Sequence, residues 1–238
     1  MIVTVVLSLQ WLACLGLGMT ILRILRIDKD LRATEYFLWS TVMGIGLLGW
    51  LIFYFGVLGL ISPGWLSGLL LISSLPTIII FKNFRFPTKF FVLDNPVTGL
   101  VLFSGILIIG LFDFVEALAP PADADTLAYH FALPKYFIDI GRLEFVPRAL
   151  DGAIPLLVQM TYIPPLALGG ERALTLWTMT TGWLAAALIY VTCLRYLSWQ
   201  WSLAVSILFL STPAVVYGAG SGQVEIRNSL FVLVAALS

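Results

Sequence analysis

The residues best suited to chemistry gather in one polar stretch between Asp123 and Asp151. It holds Asp123, Asp125 and His130, the single histidine of the chain. A positioned carboxylate that removes the proton of a hydroxyl group typically accelerates its attack by about 10²–10⁴-fold. Carboxylate oxygens also suit Mg²⁺ or Mn²⁺, so Asp123 and Asp125 are candidate metal ligands, although nothing in the sequence requires a metal.

Cations accompany these acids in the same stretch. Lys135, Arg142 and Arg148 could stabilise an anionic leaving group electrostatically. They could equally anchor the chain to lipid headgroups, and the sequence does not separate the two roles. A lone histidine is more often a packed, hydrogen-bonded residue than a ligand, so both interpretations of His130 stay open.

The remainder of the chain is a membrane-like scaffold. Of its 238 residues, 60% are hydrophobic and 11% are charged, with a mean hydropathy of +1.01, which indicates the integral membrane class. A formal net charge of zero gives no basic excess that would suggest nucleic acid as a partner. Neither a GxxxxGK[ST] phosphate loop nor a GxGxxG dinucleotide motif in a strand–helix context is present.

The hydropathy pattern predicts an all-α, polytopic transmembrane bundle, because about 20 apolar residues cross the hydrocarbon core. About six complete spans and a partial seventh are expected in a single membrane domain. The predicted spans are 1–22, 36–60, 65–81, 97–118, 172–194, 202–217 and, incomplete, 229–238. Residues 1–95 form a three-span N-terminal segment, and residues 96–238 a second segment with an outer loop at 119–171. Because the seventh span has half the needed length, we expect a chain truncated at its C-terminus.

The distribution of Lys and Arg orients the predicted bundle. Short loops rich in these residues stay on the cytoplasmic side of a membrane. Arg23, Arg26, Lys29 and Arg32 follow the first span, and a second basic loop lies at 82–89. The loop at 119–171 is therefore expected on the outer face.

Local patterns divide the outer loop. Apolar residues at helical spacing predict a helix over 126–141 that lies flat at the membrane interface. They are Leu127, Phe131, Pro134 and Ile138. Asp125 is placed to cap this helix, Lys135 and Arg142 to form ion pairs with Asp139, and Gly141 to end it. Residues 155–168 form a second apolar segment, too short to span and either interfacial or folded back.

Two acids lie inside a predicted span. Asp113 and Glu116 are near the outer end of the fourth span, where a charge is costly unless it faces a wet cavity or the bundle interior. They either line a cavity below the loop or mark the end of the helix at the interface. Four tryptophans are expected in interfacial belts, namely Trp177, Trp183, Trp199 and Trp201.

A sequence resemblance covers residues 97–238. The order Asp125-x-x-x-Tyr129-His130, Pro134-Lys135, Gly141, Pro147, Pro155 and Gln159-Met160-x-Tyr162, ahead of a predicted span, resembles the first outer loop of the GT-C glycosyltransferases. These polytopic membrane enzymes include the protein O-mannosyltransferases and the lipid A aminoarabinose transferases. The resemblance is closest to bacterial members, and the first three spans lie outside it.

The resemblance implies transfer of a sugar from a polyprenyl-phosphate carrier to a hydroxyl of a glycan, lipid or protein acceptor. Its acidic loop residue, the general base, corresponds best to Asp125, with Asp123 as the second candidate. An acid that relatives often place near Gln159 is absent. The implied substrate-binding residues are Tyr129, His130, Lys135, Arg142, Arg148 and Glu225. The implied location is the bacterial inner (plasma) membrane, with the site facing the outside or the periplasm.

Two other functions fit the same pattern. The chain could be a non-catalytic membrane subunit that packs against helices of a partner or of its own missing C-terminal part. It could also be a transporter of a lipid-linked substrate, which would favour polar residues and broken helices at the midplane. Pro213 and the glycine-rich run at 218–222 are the sequence features that hint at a broken helix.

Overall fold

A computed structural model of the protein describes residues 1–81, 96–147 and 157–237. Every regular element in these ranges is helical. The helices are α1 (Ile2–Ile24), α2 (Ala33–Val57), α3 (Pro63–Phe81), α4 (Pro96–Leu118), α5 (Ala132–Ile140), α6 (Leu157–Met160), α7 (Ile163–Gly169), α8 (Glu171–Cys193), α9 (Trp199–Leu210), α10 (Pro213–Gly220) and α11 (Glu225–Leu237). A short 3₁₀ turn at Ile27–Lys29 joins α1 to α2.

Five of these helices, α1, α2, α3, α4 and α8, are long and apolar enough to cross a membrane. They confirm five of the predicted spans as long apolar helices, and the protein is a helical integral membrane protein. We call the end of the bundle with residues 119–147 the loop end, and the end with Arg23 and Arg195 the basic end.

The predicted sixth span, 202–217, is not one helix. It divides into α9 and α10 between Leu210 and Pro213. Proline has no N–H group to continue the hydrogen bonds of α9, and its ring disfavours a helical conformation for the preceding residue. Thr212 is accordingly extended, and Pro213 begins a new helix.

Glycines allow α1, α2 and α3 to pack in backbone contact. A Cβ atom on Gly18 would overlap the backbone of Ser40, and one on Gly44 would overlap the backbone of Cys14. Small residues at such crossings let membrane helices approach closely, which increases their van der Waals contact. The first three spans therefore form one tightly packed unit.

An ion pair between a buried glutamate and a partly exposed arginine joins that unit to the second half of the chain at the basic end. Glu35, in the first turn of α2, is 2% exposed. It accepts hydrogen bonds from Arg195 at 2.5 and 2.8 Å and from the backbone N–H of Arg32 at 2.9 Å. Since Arg195 follows α8 directly, this contact fixes the start of α2 against the end of α8.

The second apolar segment of the outer loop folds back into the bundle. Tyr162 and Ile163 are fully buried, and α6 and α7 pack against α2 and α1 respectively. Gln10 of α1 donates to the backbone oxygen of Thr161 at 2.8 Å, and the indole of Trp177 donates to the Thr161 hydroxyl at 3.1 Å. Trp177 is thus a core residue, and its predicted place in an interfacial belt is wrong.

Candidate functional site

The candidate site is a cavity of about 370 Å³ at the loop end. It lies where the end of α4, the loop that follows it, α8 and the connection from α10 to α11 meet. Two acids line it, Glu116 from α4 and Asp123 from the loop, together with Thr126, Thr175 and Tyr217. Its remaining walls are the backbone and apolar side chains of residues 119–122, Phe131 and residues 221–222.

Asp123 is the most heavily bonded side chain of this cavity. Its carboxylate accepts hydrogen bonds from the backbone N–H of Thr126 at 2.9 Å and from the Thr126 hydroxyl. It also accepts from the Tyr217 hydroxyl at 2.8 Å and from the Gln223 amide at 3.3 Å. Burial raises the pKa of Asp123, but these hydrogen bonds together outweigh burial and hold the pKa below its ordinary value.

The prediction that Asp125 caps the loop helix is wrong, because Asp123 does so. A cap residue precedes the first helical residue, and here the helical turns begin at Ala124. Asp125 already has helical backbone angles and makes no capping hydrogen bond. Its side chain is exposed, and no hydrogen bond joins it to another residue in the part of the chain that the structure describes.

The predicted helix over 126–141 is present in altered form. A π-type turn at Thr126–His130 leads into α5, and Gly141, at φ 76°, ends α5 as expected. Three residues of the predicted apolar stripe face the core, since Pro134 is buried and Phe131 and Ile138 pack against it. Leu127 does not, being 52% exposed, and Leu133 and Phe137 are buried in addition. Polar Thr126 and His130 share that buried face, which a pattern of apolar residues cannot show.

Hydrogen bonds explain why these two polar residues are buried. Thr126 is fully buried, and its hydroxyl accepts from the backbone N–H of Gly222 at 3.2 Å. His130 is 1% exposed, its Nδ1 lies 2.7 Å from the amide nitrogen of Gln159, and its ring packs 4.2 Å from that of Tyr129. His130 therefore has the position of a packed, hydrogen-bonded residue. Neither His130 nor Tyr129 lines the cavity.

A second, smaller cavity of about 200 Å³ adjoins the first, and both are lined by Pro121 and Phe131. Its charged residues are Lys135 of α5 and Glu171 of α8. The structure thus places one predicted substrate-binding cation, Lys135, next to the acidic cavity.

The other predicted cations are not brought to either cavity. Arg142 pairs with Glu144 at 2.9 Å, so the pair predicted between Arg142 and Asp139 does not form. The pair predicted between Lys135 and Asp139 is likewise absent among the described residues. Arg148 lies outside the described residues.

Glu225 is exposed in the first turn of α11 and lines neither cavity.

Two residues further on, Arg227 is 1% exposed. It donates to the Thr181 hydroxyl at 3.2 Å, to the backbone oxygen of Gly218 at 3.2 Å and to that of Gln223. Arg227 thereby fixes the 218–223 connection against α8, and that connection carries two partners of the loop, Gly222 and Gln223.

Asp113 and Glu116 have different surroundings although both are on α4. Asp113 is 1% exposed and accepts a hydrogen bond from the indole of Trp183 at 2.6 Å. Glu116 lines the larger cavity. The cavity interpretation describes Glu116, whereas Asp113 fits neither interpretation offered by the sequence, because it makes a buried contact between α4 and α8.

The described residues do not fit a divalent metal site. No group of three His, Cys, Asp or Glu side chains converges in residues 1–81, 96–147 and 157–237. The oxygens of Asp123 face N–H and O–H donors, whose positive ends oppose a cation.

Several residues of this site were not predicted from the sequence. Thr126, Tyr217, Gln223 and Arg227 carry the contacts of the loop end, yet their partners lie far away in the chain. Arg227 lies two residues after Glu225 and just before an apolar run at 230–237, and a cation at the edge of such a run was a sequence signal for it.

Comparisons with protein-family models, with curated proteins and with solved structures found no match to this chain. The class defined by the fold is a helical integral membrane protein with a polar cavity at one end of its bundle.

Proposed function

We propose that the protein is a membrane glycosyltransferase, which transfers a sugar from a polyprenyl-phosphate carrier to an acceptor hydroxyl at the loop end of the bundle. The observation that carries the proposal is the contrast between two neighbouring carboxylates. Asp123 is fully engaged in hydrogen bonds, whereas Asp125, two residues further along the chain and not among the residues that line the cavity, is exposed. The resemblance of residues 97–238 to GT-C enzymes supports the same reaction.

Asp125 acts as the general base in this proposal. A base needs a lone pair that is free to accept a proton, and a lower pKa makes a carboxylate a weaker base. The hydrogen bonds of Asp123 occupy its oxygens and lower its pKa, so Asp123 is better suited to holding the loop. Asp125 lies between Asp123 and Thr126, which both line the cavity.

The two adjoining cavities suit the two substrates. The acceptor hydroxyl enters the acidic cavity, loses its proton to Asp125 and attacks the anomeric carbon of the sugar. The bond from that carbon to the phosphate oxygen breaks, and the polyprenyl phosphate leaves with its electron pair. Lys135 in the second cavity supplies a positive charge that stabilises the leaving phosphate. The carrier keeps its hydrocarbon tail in the bilayer throughout.

The sidedness follows from the charges. Arg23, Arg26, Lys29 and Arg32 at the basic end favour a cytoplasmic position for that end. The reaction then takes place on the outer or periplasmic face of a bacterial inner membrane.

The test is the variant Asp125→Asn, reconstituted in vesicles with a labelled polyprenyl-phosphate sugar and a membrane extract as the source of acceptors. We expect transfer to fall by at least about 10²-fold, the lower range for a general base. Asp139→Asn is the matched control, because Asp139 is also an exposed aspartate of the loop region and should retain full activity. Unchanged turnover in Asp125→Asn would contradict the assignment of the base.

A further inference from the structure

We propose that a groove between α1, α2, α3 and α8 binds one acyl chain of an anionic phospholipid, with the phosphate held at Arg23. The groove has a volume of about 530 Å³. Its lining residues are Trp11, Leu12, Leu15, Phe37, Thr41, Thr77, Ile78 and Leu184. This site is separate from the cavities at the loop end and does not depend on the proposed reaction.

The lining residues of the groove favour a hydrocarbon chain over ordered water. Thr41 and Thr77 are the side chains of the lining that carry a hydroxyl group, and both hydroxyls donate to backbone oxygens. Thr41 donates to the oxygen of Phe37 at 2.8 Å, and Thr77 donates to that of Leu12 at 2.7 Å. An ordered water needs two to four polar partners, which this wall does not offer. A saturated chain would instead gain van der Waals contact along it.

The groove opens sideways to the surroundings of the bundle. Leu12 is 40% exposed and Ile78 is 56% exposed, whereas Leu15 and Leu184 are buried and form the floor. All four lie in helices long and apolar enough to cross a membrane. The opening therefore faces the hydrocarbon core, and a chain can enter it from the side.

The position along the helices indicates the leaflet. Phe37 lies four residues into α2, which begins at the basic end, and Ile78 lies three residues before α3 ends there. The groove thus occupies the half of the bundle nearer the basic end. About 15 Å of hydrocarbon belongs to each leaflet of a bilayer, so a phospholipid with its headgroup at the basic end can reach the groove.

Charge complementarity indicates the headgroup. Arg23 is eleven residues after Leu12 in α1, which places it on nearly the same helix face about 16 Å nearer the basic end. Its side chain is exposed, and it forms no ion pair with the described residues. A guanidinium group binds phosphate oxygens in a bidentate manner, so Arg23 fits the phosphate of a lipid whose chain fills the groove.

Photo-crosslinking tests the site with a phosphatidylglycerol that carries a diazirine on one acyl chain. In the unmodified protein, we expect the label on peptides of α1 and α3 that contain Leu12 and Ile78. A label spread equally over the exposed face of α4, at residues such as Leu107 and Phe112, would overturn the proposal. This readout needs no variant and is therefore independent of folding defects.

Two variants, each with a control variant, test the acyl-chain groove and the headgroup site separately. Leu12→Trp narrows the groove and should abolish most of the labelling, whereas Ile72→Trp, an exposed position of α3 outside the groove, should not. Arg23→Gln should weaken the preference for phosphatidylglycerol over phosphatidylcholine by about fivefold, and Lys29→Gln should leave it unchanged. Full labelling of Leu12→Trp, an unaltered preference in Arg23→Gln, or displacement of the label by polyprenyl phosphate at equal concentration would each contradict the assignment.

Discussion

Asp123 and Asp125 lie two residues apart, yet their carboxylates have opposite surroundings. Asp123 accepts hydrogen bonds from Thr126, Tyr217 and Gln223, and Asp125 is exposed. The first arrangement stabilises the fold of the loop end, and the second leaves a carboxylate able to accept a proton. At the scale of single residues, two neighbouring acids thus differ in that one is held by hydrogen bonds and the other is exposed.

Replacing Asp123 with asparagine should destabilise the loop end. An amide presents one accepting oxygen and one N–H₂ donor, so at least one present donor would face another donor. We expect the free energy of unfolding to fall by about 1 kcal/mol, which is typical for the loss of a helix cap. Thermal unfolding in detergent measures the change, with Asp139→Asn as the control. Equal stability of the two variants would contradict the role of Asp123.

Acid should have the same effect on the unmodified protein. Because the pKa of Asp123 is lower in the folded state than in the unfolded state, its contribution to stability is complete above about pH 5. It is lost as the pH falls through the folded-state value, below about pH 4. Stability measured from pH 6 to pH 3 should therefore decline less steeply in Asp123→Asn than in the unmodified protein. Parallel curves would count against this linkage.

The sequence predicted both acids as candidate site residues but not the difference between their surroundings. Tyr217 and Gln223 lie 94 and 100 residues from Asp123 in the chain, so no local pattern joins them. Arg227 was missed for the same kind of reason, because its hydroxyl partner Thr181 lies on another helix, 46 residues away in the chain.

At the scale of elements, hydropathy was sufficient for the long helices and insufficient for the short ones. The apolar runs of α1, α2, α3, α4 and α8 are nearly uninterrupted, so length alone predicts them. The loop helix depends on polar contacts, since the buried Thr126 and His130 share its inward face with most of the predicted stripe, whereas Leu127 is exposed. The break before Pro213 follows from the local chemistry of proline, but hydropathy averaged over the whole span does not reveal it.

The close crossing of α1 and α2 predicts a strong effect of one methyl group. Gly18→Ala would place a Cβ atom in the backbone of Ser40, and we expect a loss of about 1–3 kcal/mol in the free energy of unfolding, as for other overpacked contacts. Gly68→Ala in α3 meets no atom within 4 Å and should be neutral or slightly stabilising because alanine favours helix. Thermal unfolding of both variants in one detergent measures the difference. Similar values would show that the helices do not cross this closely.

At the scale of the whole molecule, the two ends of the bundle have different chemistry. The basic end holds the ion pair of Glu35 and Arg195, and the loop end holds the cavity with Glu116 and Asp123. The pair links the first three spans, which lie outside the GT-C resemblance, to the segment that carries the candidate site. We therefore expect the N-terminal spans to be part of the working protein.

Cysteine labelling tests the orientation of these ends. In a background with Cys14→Ala and Cys193→Ala, Lys135→Cys should react with a membrane-impermeant maleimide in intact cells. Lys29→Cys should react only after the membrane is permeabilised. Both lysines are exposed, so accessibility to the reagent alone separates them. The reverse pattern would place the candidate site on the cytoplasmic side.

The most direct measurement of the central claim is the release of polyprenyl phosphate by the unmodified protein. Purified protein in liposomes is supplied with a labelled polyprenyl-phosphate sugar or with the matching nucleotide sugar, each with a membrane extract as acceptor. We predict sugar transfer and release of polyprenyl phosphate with the lipid-linked donor alone, and loss of both in Asp125→Asn. No release with the lipid-linked donor would contradict the proposed reaction, and restoration of activity by a stoichiometric partner would instead assign the chain to a subunit role.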